Sequence, residues 1–313
     1  MKQLTRLFTG MAALALVAAC QDSIGIDGNA SLADRTEILA AVDESGFAGE
    51  DFGAAEPESN FAAPSAAAEM AAAVTGGTVT LPALWSIRHG QPTARNRTVN
   101  VVRDTATVTV SLEFNSQFSM IVPQSGAAPQ TVTKAAATVV SQTAVLIKND
   151  SVSTTDSLRR HKWKVIRVSP QNWRLKDVAK QTTKITRVRV LVNGVLKIEV
   201  TDPAKVYDIN NQMPRLHRND VVQVLAEVSN TAGTGNTPPT FVFLNVTHAD
   251  ASGLAWRRLL MQDLGGGSFQ LSWTVRLAGR DRLVVNALDS QTFQTEAGTE
   301  ARGNAWAIPY RIE

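Results

Sequence analysis

From residue 105 onward apolar and polar side chains alternate along much of the chain. Val108, Val110, Leu112 and Phe114 alternate with Thr107, Thr109, Ser111 and Glu113. Phe269, Leu271, Trp273, Val275 and Leu277 alternate in the same way with Gln270, Ser272, Thr274 and Arg276. A period of two places every apolar residue on one face of an extended chain, so each run predicts a half-buried strand. Val222, Val224, Ala226 and Val228 predict a third, and Trp306, Ile308, Tyr310 and Ile312 a last one. Further strands are expected around residues 97–102, 117–122, 130–148 and 161–168. No helical periodicity of comparable length follows residue 80, so the predicted body is all-β.

Residues 187–200, RVRVLVNGVLKIEV, hold a hairpin signal at Asn193-Gly194. A two-residue loop sets Val190 opposite Lys197 and Val188 opposite Glu199, which wastes the apolar face. A three-residue loop with Gly194 left-handed sets Val190 opposite Leu196 and Val188 opposite Ile198. One buried face fixes register, which predicts the three-residue turn. The body of about 230 residues exceeds one ordinary sandwich. A boundary is expected at Thr201-Asp202-Pro203, where proline breaks the strand ahead of a turn-rich stretch. The prediction is two tandem β-sandwich-like domains, 81–202 and 203–313.

The first eighty residues read differently. Lys2 and Arg6 precede an uncharged apolar run over residues 7–19 that ends in small residues, the three-part pattern of a signal peptide. The run is shorter than the roughly 20 residues a membrane-spanning helix requires. Residues 20–80 are rich in Ala, Gly, Ser and Pro. Their acidic residues, among them Asp22, Asp27, Asp34, Glu37, Asp43 and Glu44, are opposed by Arg35 alone. Such a segment buries too little apolar surface to offset its chain entropy, and is read as a mostly disordered tether. Two short helices are expected within it, one capped at Ser31 and carrying Leu32, Ile38, Leu39 and Val42, the other from Pro64 to Ala73 and ended by Gly76-Gly77. Both are too short to stand alone, and would fray or dock. Cys20 is the only cysteine, so no disulfide forms within the chain.

Val17-Ala18-Ala19-Cys20, at the end of the apolar run, resembles the lipobox of bacterial lipoproteins. The resemblance covers about twenty residues. It implies a diacylglyceryl group on Cys20, cleavage of residues 1–19 ahead of it, and a lipid anchor in the cell envelope. Gln21, where an Asp would imply inner-membrane retention, implies the outer membrane, with the body periplasmic or surface-exposed. One acyl chain holds a protein only marginally, and the several that the family carries hold it stably. The strand spacing of residues 203–313 resembles immunoglobulin-like sandwiches without their cysteine pair, an architectural likeness that carries no activity.

Candidate chemistry is sparse. His89, His161, His217 and His248 stand singly, without the paired spacing of a metal site. A ligand role for His89 or His161 would need a distant carboxylate, and exposed or capping roles fit both better. There is no Gly-x-Ser-x-Gly elbow, and lipidation leaves no free thiol. A glycosidase needs two converging carboxylates. Asp208, Asp220, Glu227, Asp263 and Asp289 are candidates, but their neighbours read as turns and strand exteriors. Gly265-Gly266-Gly267 precedes a strand, which makes it a turn and not a phosphate cradle. No metal, cofactor or catalytic residue is expected.

The most distinctive stretch of the body is basic. Arg159, Arg160, Lys162, Lys164, Arg167, Arg174 and Lys176, continued by Lys180, Lys184, Arg187 and Arg189, are opposed only by Asp156 and Asp177. On strands such a run offers a face to an anionic partner such as lipid headgroups or an acidic polysaccharide. Equally, long basic side chains cover sheet surface and protect edges, and the acidic tether is available to lie on this face. The net charge of only +3 favours these structural roles. Trp273 and Trp306 belong to alternating strands and to the core, whereas a carbohydrate-stacking surface would draw on Trp85, Trp163, Trp173 and Trp256. The expected function is a non-enzymatic binding, adhesion or scaffolding role in the envelope. The alternatives are a carbohydrate-active or other hydrolytic lipoprotein, and an accessory subunit of an envelope complex.

Overall fold

The computed structural model describes residues 22–28, 31–46, 84–124, 127–149, 162–231, 240–250, 253–275, 279–293 and 300–313. Residues 1–21, with Cys20 and the signal run, lie outside them, as do the second expected helix, Arg159, Arg160 and His161. The fold is all-β and sandwich-like, with a single α-helix among the described residues.

In chain order the elements are β1 (Asp22–Gly28), α1 (Leu32–Glu44), β2 (Leu84–Arg88), β3 (Ala94–Val102), β4 (Thr105–Gln124), β5 (Ala127–Lys148), β6 (Trp163–Val168), β7 (Gln171–Leu175), β8 (Thr183–Val192), β9 (Val195–Val200), β10 (Tyr207–Asp208) and β11 (Arg215–Leu216). They continue with β12 (Val221–Asn230), β13 (Thr240–Asp250), β14 (Gly253–Leu260), β15 (Gln262–Gly265), β16 (Ser268–Thr274), β17 (Gly279–Asp289) and β18 (Gly303–Ile312). A large sheet runs β1-β3-β4-β5-β7-β18-β17-β13-β14, with β2 also on β4, β6 on β5, β10 on β6 and β11 on β18. A smaller sheet runs β15-β16-β12-β8-β9.

The smaller sheet packs on β13, β17 and β18. Val188, Val190, Val222 and Val224 on one side meet Leu244, Val285, Trp306 and Ile308 on the other. The alternate residues Val284, Ala305 and Ala307 face the opposite way into a second core with Val108, Leu112, Phe114, Val140 and Trp173. β17 and β18 are therefore covered on both faces, which is why β18 is buried at seven consecutive positions instead of every second one. A third cluster, Trp85, Phe118, Met120, Phe241, Phe243 and Phe293, fills the far end.

β4 is one continuous strand where two were expected. Its buried row runs Ala106, Val108, Val110, Leu112, Phe114, Ser116, Phe118 and Met120, so one strand serves two core clusters. The break expected at residues 202–203 does not separate sheets. β8, before it, pairs with β12, carries β9 on its other edge and packs on β17 and β18, because a hairpin's apolar face needs a facing layer wherever the chain supplies one.

The tether expected over 20–80 is in part structured. β1 lies parallel to β3, and α1 starts at Ser31, whose hydroxyl accepts the Asp34 N–H at 3.1 Å. α1 docks through Ile38, Ala41 and Val42, all buried. The Asp34 carboxyl is held below its ordinary value chiefly by the Ser31 hydroxyl, with Lys148 and Lys162 adding to it. Arg97 anchors the last turn through Asp43 at 3.2 Å.

The hairpin corrects the expected register. Val192 pairs with Val195 across a two-residue turn, with φ of 50° at Asn193 and 80° at Gly194. Leu191 then faces Leu196, and Val190 faces Ile198, leaving Lys197 unpaired as a bulge. The extra residue that restores the apolar face sits in the edge strand, not in the turn. Asn193 explains the preference, since it tolerates the left-handed region and its side chain bridges to the neighbouring strand. Its Nδ2 donates to Asp220 Oδ1 at 2.8 Å and its Oδ1 accepts the Val221 N–H at 3.0 Å. A Cβ at Gly194 meets nothing within 4 Å. Gly194→Ala is therefore expected to cost about 1 kcal/mol through the backbone alone, read as a lower denaturant midpoint.

Asp220 receives the backbone N–H of His217 at 2.7 Å, and this, followed by the Asn193 amide and the His217 ring, holds its carboxyl below the ordinary value of 3.8. A depressed folded value means the stabilisation is complete above 3.8 and is lost as the pH falls through the folded value. Asp220→Asn should therefore lower the unfolding midpoint at neutral pH, and the difference should disappear in strong acid.

Candidate functional site

The site nearest to chemistry grows from the one polar residue in the buried row of β4. Ser116 is 2 % exposed, and its Oγ lies 2.7 Å from Nδ1 of His89 and 3.0 Å from Oγ1 of Thr138. β2 and β3 lie end to end along β4, Arg88 facing Gln117 and Ala94 facing Glu113. Trp85, Ile87 and His89 continue one inward row off the end of β2, which delivers the imidazole to Ser116. His89 is 9 % exposed and its ring packs 4.4 Å from Trp173, which in turn stacks on Phe114 at 5.8 Å and 16°. His89 is thus a buried, hydrogen-bonded histidine, not the exposed or capping residue expected.

Beside it lies a cavity of about 50 Å³ walled by His89, Thr138, Trp173, Arg174, Asn286 and Asn304. That volume admits roughly three or four waters. Among the described residues no carboxylate lines it. A nucleophilic serine needs both a base and access to substrate. Ser116 has the imidazole, but it is sealed in the core and does not line the cavity. The arrangement holds a histidine in one orientation and fixes the β2–β3 junction.

Asn304 and Gln181 tie the two sheets together at this place. Asn304 Oδ1 accepts the Ile185 N–H of β8 at 2.9 Å, and its Nδ2 donates to the Trp173 carbonyl at 2.6 Å and to Asn172 Oδ1 at 3.2 Å. Gln181 Oε1 accepts the Leu175 N–H at 2.7 Å, and its Nε2 donates to the Gly303 carbonyl at 2.8 Å and to the carbonyl of Thr183, the first residue of β8, at 2.5 Å. Sequence reasoning missed both amides, since nothing local distinguishes them.

Among the described residues, the register sets Lys164, Arg167 and Arg174 on one side of the large sheet but spreads them along it. β6 and β7 both pair with β5, Lys164 opposite Ile147 and Arg174 opposite Val139. Eight strand residues, about 27 Å, separate the two positions. Lys162, just ahead of β6, and Lys164 on it are exposed, and α1 lies against this strand, with Glu37 accepting the Lys162 backbone N–H. Arg167 opens into a polar groove with Asp208, Asn211 and Gln212. Arg174 is half-buried at the cavity, and Lys176 pairs with Glu113. Further along, Lys180 pairs with Glu300 at 2.8 Å and Arg187 with Glu227.

The candidate carboxylates serve local structure. Asp208 Oδ1 accepts the Asn210 and Asn211 N–H groups, and Asp263 Oδ1 that of Gly265. Buried Asp289 accepts the Gln291 N–H at 2.9 Å and the Thr182 hydroxyl at 3.2 Å. Among the described residues no group of three or more His, Cys, Asp or Glu is placed to hold a metal. Trp85, Trp163 and Trp173 are core residues and not a stacking surface, and the Trp256 side chain lies outside those described. Against these features, no protein-family model and no curated protein matches the chain.

Proposed function

We propose that the chain is a lipid-anchored bacterial cell-envelope protein, cleaved ahead of Cys20 and held at the outer membrane, whose β body binds or scaffolds an envelope component without catalysis. The observation that carries the reading is Val17-Ala18-Ala19-Cys20 at the end of a charged-then-apolar leader, with no other cysteine in the chain. The body supports the binding part. Its cavity beside His89 has room for a few waters and no carboxylate among the described residues, so it fits a structural role better than a hydrolytic one. Partners then meet the outer surface, where Lys164 is an exposed cation and Arg167 opens into the groove beside Asp208.

A second reading, an accessory subunit of an envelope complex, draws on Val195, Leu196 and Val221. These are 58 %, 51 % and 49 % exposed around the tip of the β8–β9 hairpin. The patch is small, and the Lys197 bulge blunts the β9 edge against pairing with another strand, so the first reading stands.

Metabolic labelling with fatty acid tests the anchor. The wild-type chain should incorporate label and run at mature size, whereas Cys20→Ser should lose the label entirely and remain a precursor. Label retained in the variant would overturn the reading.

A further inference from the structure

The segment that follows Cys20 is built into the body almost at once. β1 starts at Asp22 and runs parallel to β3, from Asp22 beside Arg95 to Gly28 beside Val101. Two residues of chain span at most about 7 Å, so Cys20 stays within that distance of Asp22. Behind β1, α1 is fixed by Ile38 and Val42 in the core and by the Asp43–Arg97 ion pair. A lipid on Cys20 is therefore tied to a defined place on the large sheet and not to the end of a long spacer.

That place is the outer edge beside β3. Because β1 and β3 are parallel, the chain upstream of Asp22 starts from the Arg95 end of β3, the end next to the 89–93 loop. Arg88, Gly90, Gln91 and Thr93 are exposed along this edge. They present one guanidinium and the Gln91 amide, beside a Thr93 whose hydroxyl donates to the Glu113 carbonyl, with no large apolar side chain to insert. This chemistry suits a layer of phosphate headgroups, which attracts cations and accepts hydrogen bonds.

Resting on the reading that Cys20 is lipidated, we infer that the sheet edge from Arg88 to Thr93 faces the membrane and lies against its headgroups. The body is docked on the bilayer by its own first strand, leaving the smaller sheet turned toward envelope partners.

The lipidated full chain in vesicles of phosphatidylethanolamine and phosphatidylglycerol provides the test. With Cys20 consumed by the lipid, a cysteine introduced at Gln91, Lys197 or Leu264 is the only free thiol and takes a spin label. Lys197 and Leu264 are on the edge strands β9 and β15 of the smaller sheet. The label in Gln91→Cys should show severalfold lower accessibility to a water-soluble relaxing agent than those in Lys197→Cys and Leu264→Cys. A Gly/Ser insert of about twenty residues between Gln21 and Asp22, about 25 Å in mean span, should abolish the difference. Equal accessibility at all three sites in the lipidated chain would overturn the inference. Failure of the chain to carry lipid would instead overturn the anchor.

Discussion

Asn304→Ala is expected to destabilise the body by about 3 kcal/mol, because it strips the side-chain partner from two buried backbone groups at about 1–3 kcal/mol each. The Ile185 N–H loses the amide oxygen at 2.9 Å, and the Trp173 carbonyl loses the amide nitrogen at 2.6 Å. Ile185 belongs to the smaller sheet and Trp173 to the larger, so a single side chain spans the joint between them. Asn304 is itself 7 % exposed, and water has little access to replace it. Denaturant unfolding reads the effect as a lower midpoint with an unchanged slope. A loss below about 1 kcal/mol, the net worth of one ordinary hydrogen bond, would show that the joint is held by other contacts.

Trp173→Ala should cost more, about 3–5 kcal/mol, the usual range for truncating a buried aromatic residue. The indole is packed between His89 and Phe114, and the neighbouring cavity would grow into the vacated space instead of closing. Trp173→Phe keeps one ring in the stack and should recover a large part of the loss. Since Asn304 bonds the Trp173 carbonyl, the double variant is expected to depart from the sum of the two single effects. Strict additivity would mean that the aromatic stack and the amide joint act independently.

Alternation identified the strands well where one face is buried and the other is not. β12 and β16 are such strands, and their apolar rows meet in the core as expected. β18 shows where the rule runs out. Trp306, Ile308 and Tyr310 were legible as one face, but Ala305 and Ala307 are as deeply buried on the other, their small side chains admitting a second layer. The turn at Asn193-Gly194 was found by its residues, while its register depended on the link from Asn193 to Asp220, which is twenty-seven positions away in sequence. β1 carries no local signal, since its pairing with β3 joins segments separated by more than sixty residues.

The basic run and the histidine show opposite failures. Lys164 and Arg174 are close in sequence and far apart along β5, because β6 and β7 take successive stretches of one neighbour. His89 stands alone in sequence, yet the row Trp85, Ile87, His89 already pointed it inward. Its partner Ser116 is the one polar member of a long apolar row. A polar residue interrupting a buried alternation is thus the sequence feature that marked the site, although its meaning required the fold.

The anchor is the centre of the functional reading, and the mass of the amino-terminal peptide of the membrane-extracted protein tests it most directly. The peptide should begin at Cys20, with a diacylglyceryl thioether on the sulfur and residues 1–19 absent. A peptide that still carries the leader, or one with an unmodified Cys20 thiol, would contradict it.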